Sequence, residues 1–325
     1  MTPTPLGEFG LIRRYFERPL RRAALGIGDD CALLTPAAGM QIAVSSDLLV
    51  EGRHFLSTVD PQRLGHKALA VNLSDLAACG AAPLAYTLAL VMPLVDEHFL
   101  DGFARGLHAL ADEHGIELVG GDTTAGPRAV GITVFGEVPP GQALLRSGAR
   151  AGDRLWVSGT LGDARLALEV LRGRVALAGD DFERVRAAME RPAPRVALGL
   201  ALRGIASAAI DVSDGLVGDL GHILAASRLG ATLRVDALPR SAVLAGQSVD
   251  WQRLCTLAGG DDYELLFAAP PTHDDAVRAA GERAAVAVSC IGELHDSAGL
   301  TLLDADRRVL NAAPYAGFDH FAPAA

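Results

Sequence analysis

Apolar and polar positions along this chain follow two rhythms, and the changes of rhythm mark its elements. Leu6–Phe16 carries apolar residues at helical spacing and reads as a short amphipathic helix. Ile42 and Val44 alternate with polar neighbours and run into Ser45-Ser46-Asp47, which predicts a strand ending at that triplet. Asp60-Pro61 supplies a cap and a first-turn proline for a helix reaching Ala78, with Gly80 beyond it. Leu84–Met92 reads as a buried strand, and Asp96–His114 as a helix stopped by Gly115. Ile116–Val119 and Ala129–Val138 read as strands. From Val138-Pro139-Pro140-Gly141 to Asp153 neither rhythm is present. A domain boundary is therefore expected within 140–152, giving an amino-terminal domain 1–140 and a carboxy-terminal domain 141–325. Beyond it strands are expected at Arg154–Val157, Ala208–Val212, Tyr263–Ala269, Ala285–Ile291 and Leu300–Leu303. Helices are expected at Gly162–Leu171, 181–190, 194–206, Gly215–Leu229 and 273–281. The fold class is a two-domain α/β (α+β) protein without periodic repeats.

Composition sharpens this picture. Half of the 325 residues are hydrophobic but only 5% are aromatic, so Ala, Val and Leu must build the core. Leu84–Val95 contains Pro93 and is too short to cross a bilayer. Met1-Thr2-Pro3-Thr4-Pro5 lacks the features of a signal peptide, and Cys31, Cys79, Cys255 and Cys290 form no CxxC pair. A cytoplasmic protein with reduced, mostly buried thiols is expected, with no membrane partner. The net charge of −10 argues against nucleic acid as a partner. The only lysine, Lys67, lies between His66 and Ala68, so no P-loop is present.

Six times a short apolar stretch meets small residues and then aspartate: Gly28-Asp29-Asp30, Ser45-Ser46-Asp47, Leu73-Ser74-Asp75, Gly120-Gly121-Asp122, Asp211-Val212-Ser213-Asp214 and Gly260-Asp261-Asp262. Each alone is compatible with an ordinary solvated turn or a helix cap. Six together suggest carboxylates that converge. Two carboxylates 4 Å apart repel by about 4 kcal/mol at an effective dielectric of 20. Hard divalent cations offset that repulsion, and Mg²⁺ takes oxygen ligands together with phosphate oxygens. Asn72 and Asp75 share a helix face in an otherwise apolar run, so Asp75 should be half-buried and in need of a partner. Gly120-Gly121 would let backbone N–H groups approach a phosphate, or would simply make a turn. His54 and Arg146 read either as ligand contacts or as ordinary surface residues. Phe318 reads as a ring cover or as an anchor for the tail.

Taken together, GIGDDCA (26–32), SSDLLVEGRHF (45–55), VNLSDLAACGAAP (71–83), LVGGDTT (118–124), LLRSGARAGD (144–153), VSGTLGDA (157–164), IDVSDGL (210–216), GGDDYELLF (259–267) and GFDHF (317–321) resemble the thiamine-monophosphate kinase family. They occur in family order over almost the whole chain. The resemblance implies ATP-dependent phosphorylation of thiamine monophosphate to thiamine diphosphate with several Mg²⁺ ions. It implies a homodimer whose amino-terminal sheets pair into a barrel. By motif, Asp30, Ser45, Ser46, Asp47, Asp75, Asp122, Asp211 and Asp214 would hold metal, with Asp75, Asp122 and Asp214 at the chemistry. Gly121, Asp122, Arg146 and Ser213 would meet ATP, and His54, Asp261 and Phe318 the thiamine phosphate. The family pattern usually has glutamate where Asp261 stands, Thr-Thr where Ser45-Ser46 stands, and often tryptophan where Phe318 stands. Selenophosphate synthetases and hydrogenase-maturation proteins share the superfamily but carry cysteine signatures that this chain lacks. Aminoimidazole-ribonucleotide and formylglycinamidine synthetases lack the SSDLLVEGRHF and GFDHF combination. A nucleotide-binding scaffold without turnover is the reading from another class.

Overall fold

The computed structural model describes residues 7–315. The described residues divide into two compact units. One holds residues up to Leu76 together with Ala81–Gly141; the other holds Ala77–Gly80 and the chain from Gln142 onward.

The first unit runs α1 (Glu8–Tyr15), β1 (Gln41–Val50), α2 (Pro61–Ala78), β2 (Ala82–Met92), α3 (Glu97–His114), β3 (Glu117–Ala125) and β4 (Ala129–Val138). The helix signals behave as the sequence suggests. Asp60 Oδ1 accepts the Arg63 N–H at 3.0 Å ahead of α2, Asp96 Oδ1 accepts the Phe99 N–H at 3.0 Å ahead of α3, and Gly115 ends α3. The two helices meet backbone to backbone. A Cβ on Gly65 would lie 2.0 Å from the Phe103 carbonyl oxygen, and one on Gly106 1.8 Å from that of Gln62. The sheet order is β1-β4-β2-β3, with β2 and β3 parallel and the other pairs antiparallel. Leu69, Leu73 and Leu76 of α2, Leu100, Phe103 and Leu107 of α3, and Tyr86 and Leu90 of β2 are all buried.

The second unit adds β5 (Arg154–Ser158), α4 (Asp163–Leu171), α5 (Gly179–Glu190), α6 (Val196–Ala201), β6 (Ala208–Asp211), α7 (Leu216–Ser227), β7 (Gly230–Arg234), α8 (Ala242–Ala245), α9 (Val249–Ala258), β8 (Leu265–Ala269), α10 (Asp274–Arg283), β9 (Val288–His295), β10 (Gly299–Leu303) and β11 (Val309–Leu310). Its sheet order is β11-β10-β7-β9-β5-β8-β6. Leu155 and Val157 of β5 pack in one core with Leu216, Leu220 and Ile223 of α7 and Leu266 of β8.

Several expectations need correction. Ser45-Ser46-Asp47 does not end β1: the ladder to β4 continues through Ser45↔Val134, Ser46↔Thr133 and Asp47↔Ile132 to Val50. The Ser46 hydroxyl, 3.1 Å from the Ile132 carbonyl oxygen and 3.0 Å from Thr133 Oγ1, finds its bonds inside the sheet. Gly120-Gly121-Asp122 is likewise no turn, because β3 runs on to Ala125 with Gly121↔Leu88 and Asp122↔Ala89 in register. The helix expected at 194–206 is only Val196–Ala201, and β7, α8, α9 and β11 were not anticipated. Of the four free cysteines only Cys255 is buried; Cys31 is exposed. Among the described residues no helix is long and apolar enough to cross a membrane.

Candidate active site

In the first unit a cleft of about 840 Å³ lies between α1, the Ile27–Ala32 turn and β3. Phe9 and Phe16 form part of its apolar lining, and Asp29, Asp30, Gly121 and Asp122 part of its polar lining. Gly121 is indispensable to this shape. Its φ is 144°, and a Cβ there would lie 1.8 Å from the Leu88 carbonyl oxygen. The carboxylates are poorly compensated: Asp29 accepts only the neighbouring Asp30 N–H and Asp122 only the Thr123 N–H, each at 2.9 Å, and neither is in a salt bridge among the described residues.

A second group sits on β1 and α2. The Ser45 hydroxyl donates to Asp75 Oδ2, and the Asp47 N–H donates to Asn72 Oδ1 at 3.1 Å. Alternation along the strand puts Ser45 and Asp47 on the helix side of the sheet and Ser46 on the open side. Asp75 is half-buried, as expected for a helical acid with a hydroxyl partner. Beyond the end of β1 the chain turns back. His54 Nδ1 accepts the Val50 N–H at 3.0 Å, and the Lys67 ammonium donates to the His54 carbonyl at 3.4 Å. His54 is thus half-buried and fixed, not a loose surface ring.

These two groups are not adjacent within one chain. The sheet order puts β1 at one edge and β3 at the other. Three strand spacings separate them, about 14 Å. Among the described residues no three His, Cys, Asp or Glu side chains gather as a metal site. In kind, the donors nevertheless suit a hard cation: they are hydroxyl and carboxylate oxygens, and Asp29 and Asp122 lack a cationic partner among the described residues.

In the second unit, residues 211–215 leave β6 and enter α7. Asp211 is 5% exposed, while Ser213 and Asp214 are half-buried. The loop is held from below by Asp219, one turn into α7, which accepts the Ser213 N–H at 3.0 Å and the Asp214 N–H at 3.1 Å. Burial, reinforced by the Asp214 charge, pushes the Asp219 carboxyl up to about 7. Backbone bonds lay the 259–264 loop alongside: Asp261 N–H to Ser213 O at 2.9 Å, Tyr263 N–H to Val212 O and Val212 N–H to Glu264 O, each at 2.8 Å. Asp261 is thereby brought to Ser213 and Asp214. Arg146 is not: its carbonyl accepts the Ser227 hydroxyl at the far end of α7, and Leu145 pairs with Ala209 near the start of β6. Phe318 lies outside the described residues.

Sequence reasoning missed the groups that hold this scaffold. Both Asp262 oxygens accept the Gly162 N–H at 2.9 Å. Desolvation, with help from the Glu264 and Asp163 charges, pushes the Asp262 carboxyl well above the usual range. Glu264 accepts the Ser158 hydroxyl at 2.5 Å and Arg195 Nε at 2.7 Å. The one available signal was the acid density of Asp261-Asp262-Tyr263-Glu264 directly ahead of a strand.

The AIR synthase related protein N-terminal domain model matches residues 28–138, and the corresponding C-terminal domain model matches 150–304. The chain is 46% identical to a thiamine-monophosphate kinase of Salmonella typhimurium, over 97% of this chain and 98% of that protein. Among solved structures it is similar to thiamine-monophosphate kinase from Stenotrophomonas maltophilia K279a, with TM-score 0.82 and 46% identity over 86% of this chain and 90% of the other. It is also similar to AaThiL complexed with AMPPCP and TMP, with TM-score 0.75 and 28% identity over 99% of this chain and 100% of the other.

Proposed function

This chain belongs to the thiamine-monophosphate kinase family, and on that premise we propose that it transfers the γ-phosphoryl group of ATP to thiamine monophosphate by direct in-line attack assisted by Mg²⁺. The observation that carries this reading is the cleft lined by Gly121, Asp122, Asp29 and Asp30, in which Asp122 forms no salt bridge among the described residues. A phosphate monoester has its second pKa near 6, so the nucleophile is already ionised at neutral pH. The difficulty is the meeting of two polyanions, and bound Mg²⁺ supplies the charge neutralisation. In this reading Asp30, Ser45, Ser46, Asp47, Asp75, Asp122, Asp211 and Asp214 hold metal. Gly121 and Ser213 orient ATP, and Arg146, anchored at the other end of α7 from Ser213, meets a different part of the same molecule. Asp261 faces the thiamine half, together with Phe318 of the tail. His54, held in place by the Val50 N–H at its Nδ1, meets the thiamine phosphate. With ATP, Mg²⁺ and thiamine monophosphate the purified protein is expected to form thiamine diphosphate, to lose this with EDTA, and to leave free thiamine unphosphorylated. ADP release without a thiamine product would transfer the site to another phosphate acceptor.

The same reading includes a homodimer with paired amino-terminal sheets. Two observations support it. On the edge strand β1, Ile42, Val44 and Leu48 are 40%, 58% and 59% exposed, an apolar row open to a second sheet. The oxygen donors are also split between opposite edges, so a single chain leaves each half of the set incomplete. A second copy that lays its β3 edge beside β1 joins the two halves. The expected consequence is complementation. Asp75→Asn and Asp122→Asn chains alone each keep at most about 1% of wild-type activity, but when unfolded and refolded together they recover about a quarter of it, from heterodimers with one intact site of two. Absence of recovery, with heterodimers demonstrably present, would return both donor sets to one chain.

A further inference from the structure

Two side chains anchor the loop 259–264: Asp262 accepts the Gly162 N–H, and Glu264 accepts from Ser158 and Arg195. Gly159 has to be glycine for this, because a Cβ there would lie 2.0 Å from Glu264 Oε1. Between and beside these anchors, Asp261 and Tyr263 take φ values of 67° and 50°, in the left-handed region that residues with a side chain seldom adopt. The backbone is locked there by the bonds from Asp261 to Ser213 and from Tyr263 to Val212. On this fixed frame the Tyr263 hydroxyl donates to Asp261 Oδ1 at 3.0 Å. The Tyr263 ring is only 8% exposed, so it is not at liberty to swing away.

We propose that Tyr263 is a positioning residue: its hydroxyl holds the Asp261 carboxylate in the single orientation that meets the thiamine half of the substrate. Thiamine monophosphate carries a cationic thiazolium and an amino-substituted pyrimidine, both suited to a carboxylate. An aspartate has one methylene less than the glutamate more usual at this point of the family pattern, and therefore less reach. A carboxylate fixed by a neighbouring phenol meets the substrate without first losing side-chain freedom. This inference rests on the proposed contact between Asp261 and thiamine monophosphate.

The test is a cycle of Tyr263→Phe, Asp261→Ala and the double variant, with KM for each substrate, kcat and Tm measured on the full chain. Tyr263→Phe is expected to raise KM for thiamine monophosphate about 10-fold, the scale of one hydrogen bond to a charged group. KM for ATP, kcat and Tm should stay as in the wild type. Asp261→Ala should raise the same KM at least as far, and Tyr263→Phe should add nothing in the Asp261→Ala background. An unchanged KM in Tyr263→Phe beside a raised KM in Asp261→Ala overturns the inference and leaves the site reading standing. Independent, additive effects overturn it too, as does a fall in Tm with both KM values moved alike. An unchanged KM in Asp261→Ala overturns the site reading and the inference with it.

Discussion

Asp122→Asn is expected to lower kcat about 10²–10³-fold while leaving the fold intact, the usual range for removing one group that stabilises transition-state charge. The side chain stands exposed on β3 and lines the cleft, and among the described residues its carboxylate has one hydrogen bond, from the adjacent Thr123 N–H. Asparagine keeps the shape and an acceptor oxygen for that bond. What disappears is the negative charge, which in the proposed reading would hold a cation. Raising Mg²⁺ should recover part of the rate, because weakened metal binding is partly offset by concentration. Turnover within twofold of wild type at every Mg²⁺ concentration, at equal Tm, would remove Asp122 from the chemistry.

Gly121→Ala is expected to lose ATP-dependent turnover altogether and to lower Tm by about 10 °C, corresponding to about 3 kcal/mol. Two separate constraints meet at this residue. A φ of 144° is closed to a residue with a side chain, and the added methyl would lie 1.8 Å from the Leu88 carbonyl oxygen. That oxygen belongs to the backbone of β2, so no rotamer relieves the clash. The strand pair must part around Gly121↔Leu88, and Asp122 moves with it. Calorimetry with and without a non-hydrolysable ATP analogue measures both consequences. Gly120→Ala is the control for Tm, since a Cβ there would have Thr87 Cγ2 as its nearest neighbour, at 3.9 Å. A Gly121→Ala protein with unchanged Tm and unchanged stabilisation by the analogue would contradict this account.

The sequence was most legible where a single residue type has a single structural use. Asp60 and Asp96 cap helices, Gly115 ends one, and the α/β alternation of the first unit follows from those marks. It misled where polar or flexible residues continue a strand. Ser45-Ser46-Asp47 and Gly120-Gly121-Asp122-Thr123 have turn chemistry, yet neighbouring strands supply their backbone bonds. A local pattern cannot register a partner that is remote in sequence, as Val134 is from Ser45 or Leu88 from Gly121. The short α6 and the unforeseen β7 and α9 belong to the second unit. Of the site, the acid-bearing segments were legible as motifs, but their division was not. Only the strand order reveals that Asp47 and Asp122 stand at opposite edges. Asp219 and Asp262, which hold the two loops of the second unit, are indistinguishable in sequence from solvated acids. Their inward orientation is a property of the packed fold.

The mid-strand location of Ser45-Ser46-Asp47 also bears on what kinds of genetic change this protein can tolerate. A loop can gain or lose a residue with little consequence. Within Gln41–Val50, one residue more or fewer inverts every side chain beyond it. Ser45 and Asp47 would then turn away from Asn72 and Asp75, and an apolar neighbour would take their place against α2. Point substitution at any one of these positions changes a single side chain of the group. A one-codon insertion or deletion costs the whole group at once, so length should vary between related chains in the connections and stay fixed in this strand.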